Sequence, residues 1–349
     1  MAIYERFQTE ADNPDNPDVL SGIRDVISSG MWSGGSGTLS TYFTSSTQSG
    51  STGAYYLDVY KTNPDTDTSA EVQFSVAYGH FNGSGSVGGR GVVGNRASAA
   101  IYGQMSNTLL GPGEDKFTMA SGKVLNHAYF ITLQRARLRE KMDPGNWELH
   151  ISGSQGFNNI KLIDDSGATT DPTVNQGGRV FNIVSGSISN GTATIKTTAA
   201  NETASGSAGL FYPDLGMLVL NPQYLAGMGA SPHLAISSGS NANSGNTVKL
   251  YQAISASGYF QARREEVISS THYFCRVGNK KFNFSSNPTY FTASDGSFTQ
   301  PTFFKNPKSY ITQVGLYNDA NELLAVAKLS KPLLKSFARE AIVKVKLDF

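Results

Sequence analysis

Short runs of alternating apolar and polar residues, broken by Gly, Pro, Asn and Asp, dominate the chain. Period-two alternation bounded by turn residues predicts strands rather than helices. Ala54–Lys61 and Glu71–Tyr78 are aromatic and β-branched. Ile160–Ile163 stops at Asp164-Asp165-Ser166-Gly167, and Met217–Leu220 reads as a short buried strand. Several hairpins are expected. Tyr129–Met142 faces Trp147–Ser152 across Asp143-Pro144-Gly145-Asn146, and Val180–Ile188 turns at Asn190-Gly191 into Thr192–Lys196. His272–Val277 meets Lys280–Phe284 across Gly278-Asn279, and Tyr310–Tyr317 meets Leu323–Leu329 across residues 318–321. Ala341–Phe349 closes the chain with Val343, Val345, Leu347 and Phe349 on one side and mostly polar residues on the other, the mark of a half-buried strand.

Two segments depart from this pattern. Val19, Leu20, Ile23, Val26 and Ile27 fall on one helical face, with Asn16 and Pro17 suited to a helix start and Gly30 to its end. Ala97–Leu110 reads as a second helix, interrupted by Gly103. Ser33–Gly53 and Asn82–Gly94 are Gly- and Ser-rich loops. The predicted class is mainly β, with antiparallel β-sandwich-like domains, few short helices and long Gly/Ser-rich loops. The breaks in pattern suggest an arm with a short helix and loop over 1–53, a mixed β-rich segment over 54–126, and a β-sandwich-type region over 127–349, clearest in 260–349.

Composition narrows the function classes. The 349 residues carry 28 basic and 27 acidic side chains, and only 16% are charged. A nucleic-acid binder relying on phosphate attraction should be markedly basic, so no nucleic-acid partner is expected. Hydrophobic residues make 39% of the chain, too many for a disordered protein. No apolar run approaches a membrane span, and Met1–Arg6 lacks the basic-then-apolar pattern of a secretory signal. The single cysteine, Cys275, excludes an internal disulfide and reads as a small hydrophobe on a strand.

The local motifs carry little chemistry. Gly83-Ser84-Gly85-Ser86-Val87-Gly88 matches the dinucleotide glycine spacing, but no acidic residue follows near position 103. Asp65-Thr66-Asp67-Thr68-Ser69 begins like a calcium loop, yet Ala70 and Val76 stand where Gly and Glu are needed. The histidines at 80, 127, 150, 233 and 272 show no ligand spacing, and there is no Gly-x-Ser-x-Gly elbow. Asp164-Asp165 and Glu265-Glu266 are neighbours that a strand would point to opposite faces, so they read as solvated turns or faces rather than proton-sharing pairs. Read as a strand, the preferred reading, Arg135, Arg137 and Arg139, with Lys141, line one face as a solvated or inter-subunit ion-pairing stripe or an anion site; read as a helix, they spread around the cylinder. Trp32, Trp147, Tyr55 and Tyr56 suit core or interface packing, with sugar stacking as the alternative. No catalytic, cofactor-binding or metal-binding residue is therefore assigned, and no enzyme activity or cofactor is expected.

Longer blocks carry a resemblance. Tyr310–Pro332 and Val343–Phe349 at the C-terminus, Tyr4–Phe7, Gln134–Leu149 and Phe282–Tyr290 resemble structural proteins of contractile-tailed bacteriophages, in particular the T4-like cyanophages. The resemblance implies a virion component, of the tail or baseplate type, made in the host bacterial cytoplasm and assembled with other virion proteins in multiple symmetric copies. The alternatives are a receptor-binding, fibre-like protein recognising host surface glycans, or a neck-associated structural protein. A glycan-degrading enzyme would need two carboxyls facing each other across a cleft. The expected interfaces are the N-terminal arm, the Ser33–Gly53 and Asn82–Gly94 loops, and the C-terminal strand, through ordering on binding or strand addition.

Overall fold

The computed structural model describes residues 19–46, 55–84, 96–120, 122–152, 159–168, 172–190, 192–195, 207–227, 242–283, 288–292 and 294–348. The chain is mainly β and antiparallel, as its patterning predicts. It forms two compact units. Unit 1 comprises residues 1–26 and 267–349, and unit 2 comprises residues 27–266. Their boundaries fall inside strands, β1 (Val19–Gly30) and β13 (Phe260–Val277), not at the pattern breaks near 53 and 126.

Unit 2 holds most of the strands. In chain order these are β2 (Thr38–Leu39), β3 (Tyr56–Tyr60), β4 (Val72–His80), β5 (His127–Leu133), β6 (Lys141–Ile151), β7 (Ile160–Asp164), β8 (Thr173–Asn175), β9 (Gly178–Ser189), β10 (Thr192–Ile195), β11 (Gly209–Tyr212) and β12 (Met217–Leu220). Starting from the first residues of β13, the sheet order is β13-β6-β7-β9-β11-β12-β5-β4-β3. β4 and β13 stand far apart in that order, yet the Phe74 and Phe260 rings are 5.6 Å apart, and Trp32 touches both. The sheet therefore curls so that its two halves face each other across one core, the sandwich-like arrangement expected.

Two helices fill the remaining apolar surfaces of unit 2. The helix α1 (Ala97–Leu109) packs on β4, and α4 (Ala242–Ser257) packs against β3, β4 and β6. Two shorter ones are α2 (Arg135–Leu138) and α3 (Pro222–Gly227). Strand β5 shows how both faces are used. Tyr129, Ile131 and Leu133 enter the main core with Leu250 and Ile254 of α4, while Ala128 and Phe130 enter a second core with Tyr102 and Leu109 of α1. A strand covered on both sides reads as a nearly continuous apolar run. Gly79 permits the approach of α1, since a Cβ there would lie 2.9 Å from the Phe130 ring and 3.0 Å from the Tyr102 backbone.

Several expected elements are corrected. Residues 19–30 form strand β1 beside β13, not a helix. Val19, Ile23, Val26 and Ile27 are β-branched, and an available strand edge outweighs their weak helical periodicity. The Asp143-Pro144-Gly145-Asn146 turn does not join two paired strands. It lies inside β6 as a bulge, because Met142 pairs with Arg264 and Trp147 with Ala262, leaving four residues of β6 opposite one of β13. Gly145 supplies the positive φ, 79°, that the bulge requires. β5 pairs instead with β4 and β12. The Ser33–Gly53 loop is anchored over its described part. Trp32, Leu39 and Tyr42 are buried in the main core, and the Trp32 Nε1–H donates to the Phe260 carbonyl at 2.9 Å. The rest of that loop and most of Asn82–Gly94 lie outside the described residues.

Unit 1 contains the long end of β13, strands β14 (Ser309–Tyr317), β15 (Leu323–Lys335) and β16 (Ala341–Asp348), and the single-turn α5 (Thr302–Lys305). The expected 272–277/280–284 hairpin is absent among the described residues. β13 pairs with β16 instead, with Val277 opposite Ala341 and Ser270 opposite Asp348. Eight residues of half-buried alternation offer β13 a longer ladder than the short 280–284 run. The β14–β15 hairpin forms as expected, as does the β9–β10 hairpin in unit 2. β16 buries Ala341, Val343 and Val345 and exposes Ile342, Lys344 and Lys346.

Candidate functional site

Polar clusters in unit 2 turn out to serve the fold. The arginines predicted on one strand face lie in and just after α2, so they point in different directions. Arg137 pairs with Glu71 at 3.0 Å, Arg139 with Glu266 at 2.8 Å and Lys141 with Glu265 at 2.8 Å, while an Arg135 Nη1–H donates to the Glu140 carbonyl. The basic stripe and the Glu265-Glu266 pair are thus largely each other's partners, not an open anion site. Asp164 and Asp165 are buried rather than solvated. Asp164 accepts the Gly145 and Ser166 amide N–H groups, bracing the β6 bulge, and Asp165 accepts the backbone and side-chain N–H of Asn182. Burial pushes the Asp164 carboxyl above the usual carboxylate range, against the pull of those donors.

Pairing joins residues that lie far apart in sequence. His80 on β4 stands opposite His127 on β5, with ring centroids 5.7 Å apart and nearly parallel. Burial holds both imidazoles below the usual histidine range; for His127, with the His80 charge adding to it, this reaches about 4. The β6 pair Glu148 and His150, two residues apart and so on one face, is a carboxylate–imidazole contact that the spacing rules for metals did not flag. Glu148 Oε1 lies 2.5 Å from His150 Nε2, and Oε2 accepts the Ile188 N–H at 2.5 Å. His150 stacks on Tyr259 at 4.3 Å, and burial, with the Glu148 charge adding to it, raises the Tyr259 hydroxyl above its usual range. A hydrolase would need a nucleophile on the imidazole. Ser257 approaches, but its hydroxyl donates to the His150 backbone carbonyl.

Other motifs resolve in the same direction. Asp65 accepts the N–H of Ser46, nineteen residues away, and Asp67 accepts from Ser69 within its own turn, so these carboxylates hold the backbone rather than an ion. Among the described residues no group of three or more His, Cys, Asp or Glu is placed to hold a metal ion. Trp32 and Trp147 are core residues, while Tyr55 and Tyr56 are exposed. Cys275 is half-buried on β13. His272 is buried on the same strand, edge-on to Phe274. His233, Gly85–Gly88, residues 1–18 of the expected arm and Phe349 lie outside the described residues. No helix among the described residues is long and apolar enough to cross a membrane.

The surface that remains is in unit 1. Phe304, Leu324, Ile342 and Tyr310 are 75, 66, 64 and 61% exposed. Eleven of the eighteen exposed large apolar side chains among the described residues lie in this unit, which holds less than a third of the chain. Four rings of the same unit, Tyr290, Phe291, Phe298 and Phe303, pack edge-on and face-on against one another without being buried. β16 has one strand partner among the described residues, β13. Exposed apolar side chains and strand edges are the surfaces that docking and strand addition use. Comparison with family models, curated proteins and solved structures finds no match to this chain.

Proposed function

We propose that this chain is a structural subunit of a bacteriophage particle, of the tail or baseplate type, held among other virion proteins through unit 1. The observation that carries this reading is the concentration of exposed apolar side chains on unit 1. Aromatic and aliphatic groups of this kind become interface anchors when a neighbour desolvates them. Of the blocks that resemble structural proteins of contractile-tailed phages, Tyr310–Pro332 and Val343–Phe349 fall on this unit and Gln134–Leu149 falls on unit 2. Polar clusters elsewhere are occupied by internal partners, which suits a subunit that transforms no substrate. Identical copies arranged by symmetry would repeat one such contact many times.

The test is direct. Particles of the phage encoding this chain are purified, washed and analysed by mass spectrometry and by high-resolution imaging. The chain is expected in fixed stoichiometry, with density for β14–β16 packed against neighbouring subunits. Absence from washed particles overturns the proposal.

A further inference from the structure

Charge divides unit 1 along the sequence. Residues 267–349 hold eleven basic and five acidic side chains, whereas residues 1–18 hold five acidic and one basic. Residues 27–266 are nearly balanced, with 15 basic and 16 acidic. The near-neutral total of the chain therefore hides two opposed segments. The excess cations gather toward one end of the β14–β15 ribbon. Ser309 pairs with Lys335 at that end, Lys308 precedes it, Lys305 ends α5, and Lys328 pairs with Gln313. Lys331 lies among residues 329–332, which stand opposite Thr312 alone where the register shifts. Arg339 bridges to Ser336 just past β15. The turn at the other end carries Asp319 and Glu322. Lys305, Lys308, Lys328, Lys331 and Arg339 are all exposed. The ion pairs of unit 1 among the described residues join other groups, Arg276 to Glu340 and Lys346 to Asp25 and Asp348. Unit 2 differs, since Arg137, Arg139 and Lys141 find carboxylates within it. Like charges held on one short ribbon repel, and an anionic partner relieves that repulsion.

We propose that this basic ribbon base receives residues 1–18 of a second copy of the chain. Glu10, Asp12, Asp15 and Asp18 would meet the lysines. Ile3, Tyr4 and Phe7 would meet the exposed Phe304, Tyr310 and Phe337. The inference rests on the reading of unit 1 as an assembly surface and names its partner. Eighteen residues span at most about 60 Å, enough to reach a neighbouring subunit. Exchanged identical segments make the same local contacts between copies as within one, so the high local concentration in an assembly favours exchange. With reciprocal exchange each copy contributes its residues 1–18 and its ribbon base, which matches the roughly 20–30 residues a side of a stable interface. A nucleic acid would also meet the lysines, but the acidic segment of the same unit would repel its phosphates.

The test mixes unlabelled and heavy-isotope-labelled full-length protein at low salt and couples adjacent carboxylates to amines with a carbodiimide. An oligomer is expected by light scattering, with cross-linked peptides joining residues 1–18 of one isotope to Lys305, Lys308, Lys328 or Lys331 of the other. Added salt should weaken the association by about tenfold or more. Lys328→Glu with Lys331→Glu should abolish it, as should Asp12→Lys with Asp15→Lys, and mixing these two variants should restore pairing. Lys328 and Lys331 are exposed, so their substitution leaves the fold intact. A monomer at low salt, cross-links confined to one isotope, association that survives deletion of residues 1–18, or variants that do not rescue each other overturns the proposal. Cross-links absent from a chain that is nonetheless present in washed particles sink this contact and leave the virion reading standing. Cross-links present in a chain missing from particles do the reverse.

Discussion

Unit 2 and unit 1 use the same antiparallel strands and reach opposite results. In unit 2, β5 and its neighbours are covered on both faces, by the other half of the curled sheet and by α1. In unit 1, β14 and β15 pair along their length but leave most side chains half-buried or exposed, and its described buried groups include polar ones such as Lys335, Asn283 and Ser270. Backbone ladders shape strands in both units. Each such bond adds only about 1 kcal/mol net, because water satisfies the same groups in the unfolded chain. Apolar burial supplies most of the stability, so unit 2 has the means to stand by itself, whereas a two-stranded ribbon is marginal without covering. The proposed assembly role would supply a neighbour to cover that apolar surface.

Substitutions on the two sides sharpen this contrast. The largest effect is expected from Trp147→Ala in the unit 2 core, where the indole is fully buried and packs 5.2 Å from Phe211. It should lose about 3–5 kcal/mol in chemical denaturation. Asp164→Ala leaves the Gly145 and Ser166 donors without their acceptor, and a loss of about 2 kcal/mol is expected in the same measurement. A gain in stability would show that relief of the buried charge outweighs the bulge contacts.

Acid should weaken unit 2 through the His80–His127 pair. Folding lowers both imidazoles, so between the ordinary value near 6.5 and about 4 the unfolded chain binds more protons than the folded one. Stability is then full above about pH 6.5, falls as pH drops toward 4, and shows no further loss from this pair below that. Discounted for partial exposure, the change is on the order of 1–2 kcal/mol. His127→Gln should flatten that window in denaturation measured at several pH values. The smallest effect on folding is expected from Leu324→Ser in unit 1, within about 0.5 kcal/mol of wild type. Its effect should appear instead as reduced incorporation into particles. A Leu324→Ser protein that incorporates normally breaks the link between exposure and assembly at that position.

Patterning made much of the fold legible. The alternation of Val343, Val345 and Leu347 with Lys344 and Lys346 announced β16 and its buried face, and Asn190-Gly191 announced the β9–β10 turn. The failures share a cause. Asp143-Pro144-Gly145-Asn146 has the residues of a tight turn, and a bulge within one strand needs the same ones; only the distant partner, β13, distinguishes the two. Val19–Ile27 fits a helical face by spacing, and the nearby strand edge decides otherwise. Burial of Asp164 and Asp165 was illegible because it depends on donors at Gly145 and Asn182. The Glu148–His150 and Lys335–Asn283 contacts divide the same way: the first follows from two-residue spacing on a strand, the second joins positions 52 apart through a turn and a strand end.

The sequence by itself determined which segments are extended, which faces of β5 and β16 are apolar, and that no disulfide links the chain to itself, because these depend on side-chain type at short range. The tertiary structure alone decided strand partners, the fate of the buried carboxylates and amine, and the division into a covered unit and an exposed one. Those outcomes depend on which distant groups come within hydrogen-bonding or packing distance, a property of the closed chain that local pattern does not encode.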